Sequence, residues 1–263
     1  MKSLIYFAFN SRGKDNRILA TNLISDLHFT GDSNCLPLYI FDTSNTKNAN
    51  ITDWGLEQFV NHYKDKKIKK EDIFHYVYGV LHNPAYRKKY ELNLKREFPR
   101  IPFYKDFWQW TNWGKQLMDM HINYEEANPY QLKRIDEKLK EKKEKQKEFF
   151  PKVKEPEPMF GIQPKVKVKL KADKQGGEIE IDEITMLKGI PKEAWEYKLG
   201  NRSALEWILD QYKEKKPKDK TIAEKFNTYR FADYKEHVIE LLKKVTTISV
   251  ETMKIIREME KVK

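Results

Sequence analysis

The stretch KVKVKLKADKQGGEIEI, residues 165–181, keeps a strict period of two on both sides of a Gly-Gly step. That period is the signature of a half-buried strand, and the glycines supply the backbone freedom a tight reversal needs. The spacing predicts an antiparallel hairpin in which Lys174 pairs with Gly177. That register sets Lys171 beside Glu180 and Lys169 beside Asp182 on one face, and Leu170 beside Ile181 on the other. Both faces agree, so the register is specified by charge and by burial at once. A row of lysines at 165, 167, 169 and 171 invites a phosphate-binding reading, but the facing carboxylates neutralise two of the four. The structural reading comes first.

Three other apolar runs read as strands: LIYFAF at 4–9, ILATNLI at 18–24 and CLPLYIF at 35–41. The polar loop NSRGKDNR joins the first two, and the Thr-, Asn- and Asp-rich residues 42–53 read as a linker. From Lys70 the period lengthens. Ile73, Val77 and Leu81 recur every four residues, flanked by Phe74 and Val80, which predicts a helix. Asn83 is suited to cap a second helix and Pro84 to start it, with Tyr86, Tyr90 and Leu94 on one side. FPRIPF stops that helix, because each proline disfavours helix in the residue before it. A third helix is expected over YKDFWQWTNWGKQLMDMHI, with Phe107, Trp110, Leu117 and Ile122 facing inward.

Residues 131–154 are a run of charge in which Ile135 and Leu139 mark a narrow stripe, so a solvated helix or a linker is expected. RSALEWILDQY reads as a helix, EKKPKDKTIAEKFN as a surface loop. The chain ends in a long amphipathic helix with Val238, Leu241, Leu242, Val245, Ile248, Met253 and Ile256 inward. The expected fold class is α+β: small antiparallel sheet and hairpin units carrying recognition loops, packed with a helical bundle built from 70–125 and 200–262. The expected parts are a β-rich region over 1–60, a helical segment over 70–130 and the charged helix or linker over 131–155. A hairpin region follows over 156–190, then a helical part over 191–263.

Most enzymatic chemistries lack their residues. HNPAY resembles the Asn-Pro-Pro-aromatic loop of base-amino methyltransferases, but the second proline is missing and no G-x-G turn exists for a methyl donor. A cap at Asn83 and a helix start at Pro84 explain it. There is no G-x-x-x-x-G-K-[ST] and no H-E-x-x-H, and PKDK at 217–220 has no strand carboxylate before it. Cys35 is the sole cysteine, which excludes an intramolecular disulfide and a cysteine-based zinc site. The chain is therefore expected to be non-catalytic and to need no cofactor. With no signal peptide and no apolar span it is expected in the cytoplasm, away from membranes.

The charge says more. Fifty-one Lys and Arg against 40 Asp and Glu leave +11, a balance suited to a polyanion. Asn10, Ser11, Arg12, Lys14, Asn16 and Arg17 share one loop between strands. Arg and Asn carry the paired hydrogen-bonding groups that match guanine and adenine edges in the major groove. Arg87, Lys88 and Lys89 near a helix start, with Arg96 and Arg100 beside the FPRIPF turn, are candidates for phosphate contacts, which position rather than specify. A merely solvated basic face is the alternative reading of all eleven.

EDIFHYVYGVLHNPAYRKKYELNLKREFPRIPF resembles a segment of the C-terminal specificity domain of Type ISP restriction–modification enzymes. Three further pieces resemble that family in the same order: LATNLISDLHF with LPLYIF, GIPKEAWEYKLGNRSALEWILDQY, and VIELLKKVTTISVETMKII. FPRIPF and GNRSALEW are the most specific. The resemblance implies the part that reads a short asymmetric sequence in double-stranded DNA. It also implies a parent enzyme with nuclease, helicase-like motor and adenine methyltransferase domains as partners. None of those modules has a counterpart in this sequence, so the chain corresponds to the recognition part. The resemblance does not say which residues touch bases. A rival reading is a module that docks on the motor or methyltransferase domains and reads no base.

Overall fold

A computed structural model describes residues 6–10, 17–23, 33–137, 166–215, 217–225 and 229–262, with the side chains of 6–10, 33 and 224 outside the description. The fold is α+β and divides into two compact units. Unit 1 comprises Met1–Ala127, Tyr197–Arg202 and Val250–Lys263; unit 2 comprises Asn128–Glu196 and Ser203–Ser249. Among the described residues no helix is long and apolar enough to cross a membrane.

Unit 1 opens with an antiparallel sheet of order β2-β1-β3, from β1 (Tyr6–Asn10), β2 (Ile18–Thr21) and β3 (Ser33–Pro37). The expected linker 42–53 is instead structured. Strands β4 (Tyr39–Phe41) and β5 (Lys47–Ala49) form a hairpin whose turn is closed by Asp42. The Asp42 carboxylate accepts the amides of Ser44 (2.9 Å) and Thr46 (2.8 Å), and Asn45 takes φ 59°. Polar turn residues looked like a linker because they are the ones that make Asx turns. Helix α1 (Asp53–Tyr63) follows, capped by Thr52.

Helix α2 (Lys70–His82) is buried over much of its circumference, including Ile73, Phe74, Tyr76, Tyr78, Val80 and Leu81. Its central partner is α5 (Phe107–Ile122), capped by Asp106, whose carboxylate accepts the Gln109 amide at 2.9 Å. Between them α3 (Pro84–Lys89) starts as expected. Asn83 accepts the Ala85 amide at 2.9 Å and Pro84 occupies the first turn. The one-turn α4 (Glu91–Leu94) completes the set. The core is aromatic, with Tyr76, Tyr78 and Trp110 fully enclosed.

Unit 2 is an antiparallel four-stranded sheet of order β6-β9-β8-β7, from β6 (Lys133–Asp136), β7 (Val168–Asp173), β8 (Glu178–Asp182) and β9 (Thr185–Lys188). The start of the charged run is thus a strand and not a helix: Ile135 pairs with Met186, and Arg134 holds Glu236 through two bonds of 2.6 and 2.9 Å. The rest of that run, 138–155, lies outside the described residues.

The hairpin forms, and Lys171 faces Glu180 as expected. Lys169 does not face Asp182. A bulge between Val168 and Lys171, with Leu170 at φ 43°, sets Val168 opposite Asp182. The extra residue keeps Leu170 buried while Lys169 reaches Glu180 at 3.1 Å. Asp182 accepts the amides of Ile184 and Thr185 and pairs with Lys235 at 2.7 Å.

Helix α6 (Lys192–Glu196) and a two-residue hairpin of β10 (Lys198–Leu199) and β11 (Arg202–Ser203) precede α7 (Ala204–Gln211). A Ser203–Glu206 capping box starts α7. The expected loop 214–227 holds a short helix, α8 (Lys220–Lys225), because Asp219 accepts the Ile222 amide at 3.0 Å. Helix α9 (Phe231–Lys261) buries Val238, Leu242, Val245, Ile248 and Ile256, while Leu241 and Met253 are half-buried.

Candidate nucleic-acid interface

The proline turn after α4 has few amide donors of its own, so its carbonyls need partners from elsewhere. Three tyrosines supply them. Tyr86 of α3 donates to the Arg100 carbonyl (2.9 Å), Tyr76 of α2 to Pro102 (2.7 Å) and Tyr63 of α1 to Tyr104 (2.6 Å). Tyr76 also accepts the Tyr104 amide at 2.7 Å, so its hydroxyl is used in both directions. Burial pushes the Tyr86 phenol up to about 12 and raises Tyr76 further, which keeps both hydroxyls protonated as donors. The aromatics of HYVYG and the prolines of FPRIPF are therefore one device. It fixes the segment 100–104 against three helices.

Tyr76→Phe removes a buried donor and a buried acceptor together. We expect a loss of about 2–3 kcal/mol, read as a lower urea midpoint. Tyr39→Phe, whose hydroxyl meets only the half-exposed Glu71 at 3.2 Å, should lose less than about 1 kcal/mol. Equal losses would mean that the ladder does not hold the turn.

This device carries several of the sequence candidates. Arg100 stands out in solvent, its side chain 89% exposed and near Glu97 at 3.3 Å, and Arg96 is exposed beside it. Arg87, Lys88 and Lys89 are the last three residues of the six-residue α3, not residues at a start. Carbonyls face outward there, so the cations are favoured by the helix end itself, without an anion. Lys88 and Lys89 are exposed, and Lys89 lies 5.3 Å over the Tyr90 ring. Arg87 is half-buried and close enough to His82 and Tyr197 to act on both.

The loop candidates sit elsewhere in unit 1. Asn10 ends β1, opposite Ser33. Ser11, Arg12, Lys14 and Asn16 lie outside the described residues. Arg17 is half-buried just before β2, and its Nε lies against Gly200, where an added Cβ would come within 2.7 Å. Gly200 sits at φ 73° in the turn of GNRSALEW, so the glycine is needed both for its backbone and for Arg17. Only the α3 and proline-turn residues are brought together by described contacts.

One basic group was missed. The α1–α2 loop carries Lys64, Lys66, Lys67 and Lys69, all exposed. Four lysines in six residues are visible in the sequence, but without the α1 boundary they read as more of the chain's general lysine content.

The fold is shared with solved structures. A cryo-EM structure of a DrdV–DNA complex is 48% identical, with a TM-score of 0.82 over 97% of this chain and 24% of that one. A nuclease-deletion mutant of the Type ISP restriction–modification enzyme LlaGI, in complex with a DNA substrate mimic, is 28% identical (TM-score 0.64; 97% of this chain, 21% of that one). The ATP-dependent Type ISP restriction–modification enzyme LlaBIII bound to DNA is 26% identical (TM-score 0.69; 99% and 16%). The chain thus spans a quarter or less of each of these structures. No curated protein sequence matches it. Residues 3–241 match the model of the Type ISP C-terminal specificity domain, and the chain belongs to that family.

Proposed function

We propose that this chain is the target-recognition domain of a restriction–modification enzyme and reads a short sequence in double-stranded DNA. The observation that carries the reading is family membership over most of the chain. Its weight comes from similarity to structures solved with DNA, one of them at 48% identity. The tyrosine-held turn supports it by presenting Arg100 on a fixed backbone, with Arg96 exposed four residues before it. Base readout is assigned to the 10–17 loop by side-chain chemistry: Asn10, Arg12, Asn16 and Arg17 offer paired hydrogen-bonding groups, and Lys14 a phosphate contact. Arg87, Lys88, Lys89, Arg96 and Arg100 bind phosphates. Nuclease, helicase-like and methyltransferase domains of the parent enzyme supply catalysis.

The test is selection of bound duplexes from a random pool, followed by sequencing. We expect one enriched motif, and affinity that falls linearly in log–log with salt. Arg12→Ala should reduce preference for the motif more than binding to random duplex, by roughly tenfold or more for a lost bidentate contact. Arg17→Ala acts in the same direction with an added cost in packing on Gly200. No enrichment at low salt would reject base reading. It would favour the docking alternative, for which an apolar pocket of about 240 Å³ beside the exposed Phe98 is the nearest feature.

A further inference from the structure

The α1–α2 loop is more than a lysine-rich stretch. Lys64 closes α1 in the left-handed region at φ 54°, Ile68 is buried, and Lys69 donates its amide to Asp72 at 2.9 Å. Asp65 accepts the Lys67 amide (2.8 Å) and the indole N–H of Trp108 (2.9 Å). Backbone and side-chain anchors therefore fix a loop whose four ammonium groups point outward. Among the described residues none of the four makes an ion pair, whereas Lys70 pairs with Asp53 and Lys95 with Glu91. The nearby carboxylates are engaged: Asp65 as above, Glu71 with the Tyr39 hydroxyl, and Asp72 as a cap. Lys105 is exposed on the adjoining segment, one residue after the Tyr104 carbonyl that Tyr63 holds.

The tyrosine ladder relates this loop to the arginines. The Arg100 carbonyl is held at α3 and the Tyr104 carbonyl at the end of α1, so the segment 100–104 runs from one basic group to the other. Four residues span at most roughly 14 Å, about four base-pair steps at ~3.4 Å each.

We infer that Lys64, Lys66, Lys67, Lys69 and Lys105 form a second phosphate-binding surface, which continues the Arg96–Arg100 group along a DNA backbone. The inference rests on the domain being a DNA binder, as proposed above. It adds a surface that contacts phosphates without reading sequence.

The experiment uses the 263-residue chain with Lys64, Lys66, Lys67 and Lys69 all changed to Gln, and a second version with all four changed to Arg. Binding to fluorescein-labelled cognate and random duplexes is followed by anisotropy across a salt series. If two of the four lysines sit on phosphates, the slope of log K against log salt shrinks by about 1.8. Affinity at about 0.1 M salt then falls roughly 60-fold. We expect the loss to be equal on both duplexes and to be restored in the Arg version. Unchanged slope and affinity in the Gln version, with a wild type that still enriches a motif, would overturn the surface and leave the recognition reading standing. A loss confined to cognate duplex would also overturn it. A wild type without salt-dependent duplex binding would reject the recognition reading and this surface with it.

Discussion

Gly114→Ala should cost unit 1 about 3 kcal/mol or more, which for a chain of this size is a fall in Tm of roughly 10 °C. Helices α2 and α5 meet backbone to backbone at Gly79 and Gly114. A Cβ on Gly114 would fall on the carbonyl of His75 and within 2.8 Å of the Gly79 nitrogen. Neither obstacle is a side chain that can rotate away, so one helix must move. Both helices supply the enclosed centre of the core, with Tyr76, Tyr78 and Val80 on one and Trp110, Leu117 and Met118 on the other. Moving either helix opens voids around these residues, and each void costs contacts as well as area.

Gly55→Ala in the exposed first turns of α1 is the control. Its Cβ would meet only Thr52 Oγ1 at 3.3 Å and Ile51 Cγ2 at 3.5 Å, and helix propensity favours alanine there by up to about 1 kcal/mol. Urea midpoints of the two variants check the argument. A Gly114→Ala protein as stable as the Gly55→Ala protein would show that the helices are not in backbone contact.

Neither glycine contact was legible in the sequence, and the reason applies to much of what was missed. Periodicity reports which side of an element is apolar, and it gave α2, the Asn83–Pro84 step, α5 and the inward residues of α9. It does not report how near two elements come, so Gly79 looked like a small residue in an apolar run. The tyrosine ladder was hidden for a related reason. Its acceptors are backbone carbonyls 14, 26 and 41 residues away, and a carbonyl has no letter in the sequence. The hairpin shows the same limit: alternation fixed Lys171 against Glu180, but a one-residue bulge with a leucine in the left-handed region leaves no trace in composition. Local chemistry was read in the wrong sense twice, where Asp42 closes a hairpin in an expected linker and Asp219 caps a helix in an expected loop. For the interface, side-chain charge and a place beside the FPRIPF turn singled out Arg96 and Arg100 as candidates. The α1–α2 lysines became distinct only when their anchors and their lack of ion pairs were placed.

The second large effect is on acid stability. His82 and His121 lie in the core of unit 1 with no solvent to share a charge. His82 donates from Nδ1 to the Tyr78 carbonyl at 2.8 Å. The Tyr78 hydroxyl takes a hydrogen bond from the Ala20 backbone, which leaves its own proton for His121 Nδ1 at 2.7 Å. His121 Nε2 then carries a proton toward Thr252 Oγ1 at 2.9 Å. Both rings are therefore satisfied as neutral imidazoles, 5.4 Å apart. Burial is the main cause that lowers His82 to about 4, and Arg87 adds to it. Burial likewise holds His121 well below its ordinary value, with His82 adding to it.

In the unfolded chain both titrate near 6.5, so between about 6.5 and 4 the unfolded state binds protons that the folded state refuses. Stability is therefore full above that window and falls as pH drops through it. His82 alone accounts for about 3 kcal/mol by the lower end, and His121 acts in the same direction. The half-buried His75 is shifted the same way, chiefly by burial. Carboxylates held down by hydrogen bonds and ion pairs, such as Asp136 beside the Thr185 hydroxyl and Arg134, and Glu206 beside Lys174 and Ser203, lose their contribution only below their unperturbed values, near 4. The interval from pH 6.5 to 5 consequently isolates the histidines. Urea midpoints across it should fall steeply for the wild type, and by about two protons' worth less for a His82→Gln/His121→Gln protein. That protein should be weaker at pH 8 and comparatively indifferent to acid. Parallel pH profiles for the two proteins would place the acid lability outside this buried pair.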